Sequence, residues 1–238
     1  MSVAIDIVIP VHNGAAFVRR AVESVLSQEG TWDLRVFAVD DGSTDESPRV
    51  LARLAEACPR LTVLSHATPR GAAAARNRGV AAGGADFVAF LDQDDEWVPG
   101  KLLLQIPLFV ADASLMYAVG QQRFVLADGL ARPAWCRPEW LAGPQAGFLP
   151  SALVVRRTAW RIVGPLDEAL LIGADDVAWF ARARDLGLPH AVVPEVVVHR
   201  HVHARNASAD TGVSNRAVLE VVRRKLLAGR PAPHADDR

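Results

Sequence analysis

The chain has little cysteine, no strong charge of either sign and no long apolar run. Only two cysteines occur in 238 residues, Cys58 and Cys136. They stand far apart with no metal-ligand spacing around either, so they read as reduced thiols, which excludes a disulfide framework or a cysteine zinc site. The formal net charge is −1, which gives no field to steer the chain toward nucleic acid or acidic partners. No uninterrupted apolar run approaches the roughly 20 residues needed to span a bilayer. Met1 to Asp6 also lacks the basic-then-apolar pattern of a signal peptide. Together these absences lead us to expect a soluble, cytoplasmic protein with no nucleic-acid partner. What remains is an ordinary globular composition, 50% hydrophobic and 22% charged, long enough for one large domain with a sizeable core.

Read in order, the first hundred residues alternate between two periods. Ala4 to Val11 is an Ile/Val-rich run that predicts a buried strand, closed by a turn at His12-Asn13-Gly14. From Ala15 to Gln28, Phe17, Val18, Ala21, Val22, Val25 and Leu26 recur at helical spacing. Leu34 to Val39 predicts a second strand, ending in Asp40-Asp41-Gly42-Ser43-Thr44-Asp45. Thr44 or Asp45 can cap a helix that runs to about Ala57. A third short strand is expected over Leu61 to Leu64, and a helix starts near Gly71 and carries Arg76. A helix start with nearby arginines suits an anion, although an alanine-rich helix with a solvated basic face explains the same residues. Strand and helix in strict alternation predict a parallel sheet with right-handed crossovers.

The apolar run Phe87 to Leu91 then breaks into Asp92, Asp94, Asp95 and Glu96. Carboxylates this close repel one another and raise each other's pKa unless a cation or donors neutralise them. A hard divalent ion that shares its shell with phosphates fits, and ligands of open α/β sheets bind beyond the carboxyl ends of the strands. A solvated acidic turn that caps the next helix, with Pro99 in its first turn, fits as well.

Five segments, in one order, resemble the family 2 glycosyltransferases, which have the GT-A fold. They are Val8-Ile9-Pro10-Val11-His12-Asn13; Val39 through Asp45; Gly71 through Gly79; Phe90-Leu91-Asp92-Gln93-Asp94-Asp95-Glu96-Trp97-Val98-Pro99 on to Leu102; and Gly173-Ala174-Asp175-Asp176 leading to Trp179-Phe180 and Arg182. The resemblance implies an α/β fold with a Rossmann-like, mostly parallel central sheet flanked by helices. It would form a single domain over residues 1–230, with a nucleotide-sugar half to about 103 and an acceptor half from 104 to 230. It also implies a nucleotide diphosphate sugar donor, UDP-linked by expectation, a Mn²⁺ or Mg²⁺ ion, and transfer with inversion. Pro10, Val11 and Asn13 would line the base and ribose pocket. Asp40 would accept from the base, a carboxylate being an acceptor only, although an Asx-type turn is its structural alternative. Arg76 would approach the phosphates or hold Asp40. Asp94 would bind the metal, Asp92 and Gln93 would contact the ribose or a metal-bound water, and Asp95 and Glu96 would begin the next helix.

In the acceptor half, Lys101 to Val110 predicts a helix that Pro107 kinks or ends. Leu115 to Val119 and Arg123 to Leu126 read as two strands around a Gly-Gln-Gln turn. Ala127 to Pro150 is rich in Pro, Gly and Trp, and Trp135 or Trp140 would either stack on an acceptor or anchor the loop. Ser151 to Arg156 predicts a strand and Arg157 to Val163 a short helix or turn. Asp176 takes the family's base position; a sugar hydroxyl needs such a group because it is a poor nucleophile until its proton is taken. Helix capping is its plain alternative. Ala191 to Val198 predicts a strand leading into His199, Arg200, His201 and His203. By the resemblance, His203 would complete the metal shell and Arg200 would face the phosphates; His199 and His201 read as structural or solvated. Val213 to Leu227 predicts an amphipathic helix whose basic face is either simply solvated or in peripheral contact with a membrane surface. Pro231 to Arg238 is expected to be a disordered tail. The acceptor class stays open among glycan, lipid-linked sugar, peptide and small molecule. A nucleotidyltransferase and a non-catalytic nucleotide-sugar or glycan binder are the alternatives to an enzyme of this family.

Overall fold

A computed structural model describes residues 2–127, 129–170, 173–203 and 206. The predicted helix over residues 213–227 and the tail over 231–238 lie outside them.

The apolar strands assemble first into a parallel core. β1 (Val3–Val11) pairs in parallel with β2 (Trp32–Asp41) on one side and β4 (Phe87–Phe90) on the other, and β2 pairs in parallel with β3 (Leu61–His66). The crossovers are α1 (Val18–Leu26), α2 (Ser47–Ala57) and α3 (Ala72–Ala82). The remaining elements in chain order are β5 (Asp95–Trp97), α4 (Lys101–Ala111), β6 (Tyr117–Leu126), α5 (Pro138–Ala142), β7 (Gln145–Ala146), β8 (Val154–Arg156), α6 (Arg157–Val163), α7 (Asp175–Asp185) and β9 (His190–Val202). One sheet in the order β3-β2-β1-β4-β8-β6-β9-β5 joins both halves, with β7 beside β6.

Alternation along β1 sets two packed layers. Ile5, Ile7, Ile9 and Val11 point into one core with α1, α2 and α4, through Val22, Leu51 and Ile106. Val8, Val39, Val88 and Phe90 point into the other, against Ala73 and Ala75 of α3, Trp160 of α6 and Trp179 of α7. The alanines of α3 allow close approach: a Cβ on Gly79 would lie 2.3 Å from Val8 Cγ1. Asp6 is an unusual buried charge on the central strand. It is bound by Arg157, which also donates to the carbonyls of Ala85 (2.6 Å) and Val80 (2.9 Å), so β1, the start of α6 and the end of α3 are tied together.

Several boundaries differ from the sequence expectations. α1 starts only at Val18, and Pro107 lies inside α4 without ending it; Pro107 is exposed, so the carbonyl it leaves unbonded falls on the solvent side. The expected pair of strands between Leu115 and Leu126 is one strand, β6. Its Gly120-Gln121-Gln122 carries a register shift against β9 rather than a turn. The segment from Ser151 begins as a 3₁₀ turn, Pro150–Ala152, before β8. β9 runs four residues past its expected end, from Val198 to Val202, and pairs with Asp95 and Glu96, which therefore form β5 rather than open a helix.

Candidate active site

The turn after β4 delivers the acidic run to the carboxyl ends of the parallel strands, and each acid there has a partner. Arg76 Nη2 donates to Asp92 Oδ1 at 2.5 Å and Arg76 Nη1 to Asp175 Oδ2 at 3.2 Å. This corrects the expectation that Arg76 holds Asp40. With two carboxylates at hand in the interior, the guanidinium turns inward, so it braces the acidic turn against α7. It is buried, its charge is further stabilised by Asp92 and Asp175, and its Nε has no hydrogen-bond partner among the described residues.

Through that clamp the candidate base is brought to the acidic turn. Asp176 follows Asp175 in the first turn of α7, with an apolar wall of Phe90, Pro150, Leu153, Trp160, Trp179 and Phe180 beside it. Burial, and then the neighbouring Asp175 charge, push its carboxyl up to about 7, against the pull of Arg76. A cavity of about 210 Å³ lies between the starts of α3 and α7, lined by Arg70, Gly71, Glu168 and Asp175 among others.

On the other side of the turn β9 supplies bases. His203 Nε2 lies 3.1 Å from Asp94 Oδ2, and Asn206 Nδ2 donates to the same oxygen at 3.2 Å. Burial would raise the Asp94 pKa, but the His203 hydrogen bond and charge hold it below the usual carboxylate value. His201 Nε2 lies 3.1 Å from Glu96 Oε2. Asp95 is sealed in, accepts from Ser151 Oγ at 3.0 Å and lies 3.7 Å from Arg200. Burial pushes its carboxyl up to about 8 despite Arg200, and Asp92 and Asp94 push the same way. Arg200, expected at the phosphates, is thus engaged with Asp95, and its guanidinium lies 5.3 Å from the Phe124 ring centroid.

The ends of β1 and β2 form the third wall. Val11 is 1% exposed and packs in the core with Ile9, and Pro10 is buried as well. Asn13, at φ +50°, spends its side-chain oxygen on the amides of Thr44 (2.8 Å) and Asp45 (3.2 Å). Gln93 bonds the backbone of His12 twice, at 2.9 and 3.0 Å, and a Cβ on Gly14 would meet its Oε1 at 2.1 Å. These two residues therefore join strand ends to one another. Asp40 Oδ1 accepts from the Ser43 amide at 3.2 Å, the Asx-type turn, which leaves Oδ2 for a ligand.

Four contributions escaped the sequence reading. The buried carboxylate of Asp41 lies 2.6 Å from His66 Nδ1 and accepts from the amides of Arg70 and Gly71, which fixes the start of α3. Asp175 is the second partner of Arg76, and Ser151 is a hub for Asp92 N–H and Asp95. Phe17 stacks on His203. Only the Asp-Asp doublets at 40–41 and 175–176 offered a signal for any of these. Trp140 stacks on Phe124 (centroids 5.1 Å, 18°), and Trp135 is part-buried.

Residues 6–157 match the family model described as glycosyl transferase family 2. The sheet and its flanking helices have the GT-A architecture of solved glycosyltransferases. The chain belongs to glycosyl transferase family 2. It is 33% identical over 221 residues to the succinoglycan biosynthesis protein ExoO of Rhizobium meliloti, covering 86% of this chain and 62% of that one. It spans smaller shares, 32% and 27%, of two uncharacterized glycosyltransferases of Nostoc and Escherichia coli. Among solved structures it is similar to the mannosyltransferase PcManGT of Pyrobaculum calidifontis in complex with GDP-Man and Mn²⁺, with a TM-score of 0.75, 20% identity and coverage of 98% of this chain and 67% of that chain. It is also similar to S. aureus TarS 1-349 in complex with UDP-GlcNAc, with a TM-score of 0.70, 17% identity and coverage of 95% and 66%. Family membership removes the nucleotidyltransferase alternative. Among the described residues no helix is long and apolar enough to cross a membrane.

Proposed function

We propose that this chain transfers a sugar from a nucleotide diphosphate sugar, UDP-linked, to an acceptor hydroxyl with inversion at the anomeric carbon. The observation that carries the reading is the Arg76 clamp. One guanidinium joins Asp92 of the acidic turn to Asp175, and so holds Asp176 against the turn where a donor would lie. Asp176 takes the acceptor proton as the new bond forms; a carboxyl pushed up to about 7 is a stronger base than an ordinary aspartate, and about half of it is ionised at neutral pH. Asp40 Oδ2 accepts from the base, and the strand-end backbone around Pro10 and Val11, held by Asn13 and Gln93, borders the nucleotide.

A divalent ion fits the acidic turn by the chemistry of its donor atoms. Asp94 and His203 offer a carboxylate oxygen and an imidazole nitrogen side by side. No group of three or more His, Cys, Asp or Glu side chains among the described residues could hold an ion by itself. Two protein ligands leave the other positions to diphosphate oxygens and water, the usual arrangement for Mg²⁺ or Mn²⁺. Bound there, the ion would offset the charge that grows on the departing diphosphate. UDP is supported by the TarS complex and challenged by the GDP-Man complex of PcManGT, so the donor is the first quantity to measure. Incubation with a panel of UDP- and GDP-sugars and Mn²⁺ is expected to release UDP slowly from one of them. Binding of a nucleotide sugar with no turnover of any, acceptors included, would instead mark a non-catalytic relative.

A further inference from the structure

The two residues proposed to hold the ion, Asp94 and His203, lie 109 positions apart in the chain, and the β5–β9 ladder ends at the pair Asp95–Arg200 without reaching either of them. Both are touched from the start of α1, by its N-cap residue Phe17 and by Arg20 in its first turn. The ring of Phe17 stacks on the imidazole of His203, with centroids 4.2 Å apart and planes inclined by 17°. Arg20, three residues on and therefore on the same helix face, donates from Nη2 to the carbonyl of Asp94 at 3.1 Å. Its Nε lies 3.9 Å from Glu96 Oε2, and the same carboxylate oxygen lies 3.1 Å from His201. One helix face thus grips both proposed ligand segments, one by its ring and the other by its backbone.

We propose that Phe17 and Arg20 are positioning residues for the divalent ion, an inference that rests on the metal reading above. Phe17 fixes the plane of the His203 ring so that Nε2 faces Asp94, and Arg20 fixes the backbone from which Asp94 reaches. Neither touches the ion. Loss of a group that orients a metal ligand typically costs about 10- to 100-fold in metal affinity, and the stack demands an aromatic ring rather than mere apolar bulk.

The test is a Mn²⁺ titration of the full chain at saturating UDP, read from the loss of the free-ion electron paramagnetic resonance signal. Phe17→Leu and Arg20→Met are each expected to weaken Mn²⁺ binding by about 10-fold or more, and Phe17→Tyr to restore it. In a His203→Ala background, Phe17→Leu is expected to have no further effect, which a general loss of packing would not reproduce. If Asp94→Ala and His203→Ala weaken Mn²⁺ binding while Phe17→Leu and Arg20→Met leave it at the parent value, the positioning role is overturned and the metal reading stands. If Asp94→Ala and His203→Ala themselves leave Mn²⁺ affinity unchanged, the metal reading fails and takes this inference with it.

Discussion

Asp176 and Arg76 act on each other through Asp175. The Asp176 carboxyl, pushed up to about 7 by burial and by Asp175, must be deprotonated to accept a proton. Turnover should therefore rise with pH through about 7 and fall away below it, as measured by kcat/KM for donor consumption between pH 5 and 9. A profile flat from 5 upward would indicate a base of ordinary aspartate acidity. Arg76→Met removes the cation between Asp175 and Asp92 and leaves buried carboxylates facing one another. Breaking a buried pair in this way costs about 3–5 kcal/mol, which a shift of the denaturant midpoint would report. Asp94→Ala should abolish the Mn²⁺ dependence of donor binding by calorimetry, and unchanged affinity with and without the ion would count against Asp94 as ligand. The resemblance to family 2 pointed to Asp94, Asp176 and His203, and the fold brings all three to the acidic turn. The sequence hid the partners of Arg76, since an ion pair between residues 76 and 175 has no local signature.

Local period was enough to find the parallel strands and their crossover helices, because β1, β2 and β4 are largely buried on both faces and each helix buries one face. The sheet's second half was harder. β6 read as two strands because Gly120 suggested a turn, whereas Gly120 is needed where a Cβ would lie 2.4 Å from Val197 on β9. Asp95 and Glu96 read as a helix start because their pairing with Arg200 and His199 comes from a strand a hundred residues away. The Asp6–Arg157 pair is the same kind of long-range tie, linking the central strand to α6. Asp6→Leu alone would strand Arg157 in the interior, and about 3–5 kcal/mol of stability should be lost. The double replacement with Arg157→Met should recover much of that loss, since no unpaired charge remains. Additive losses in a denaturation cycle would show that the two side chains act independently.

At the scale of the molecule, β4 and β8 join the two halves of the sheet, and the acidic turn is held from both halves. The turn after β1 and helix α1 hold it through Gln93 and Arg20; β9, the residues just past it and the 3₁₀ turn hold it through Arg200, His203 and Ser151. Donor and ion together should therefore stabilise the whole domain by mass action: a UDP-sugar with Mn²⁺ at about 100 times its Kd adds about 2.7 kcal/mol, visible as a rise in Tm that neither gives alone. The most direct test of the account compares the parent with Asp176→Asn, measuring calorimetric affinity for the UDP-sugar with Mn²⁺ beside the rate of sugar transfer or donor hydrolysis. Unchanged affinity with turnover lower by about 10²- to 10⁴-fold is the predicted result. Normal turnover by Asp176→Asn would contradict it.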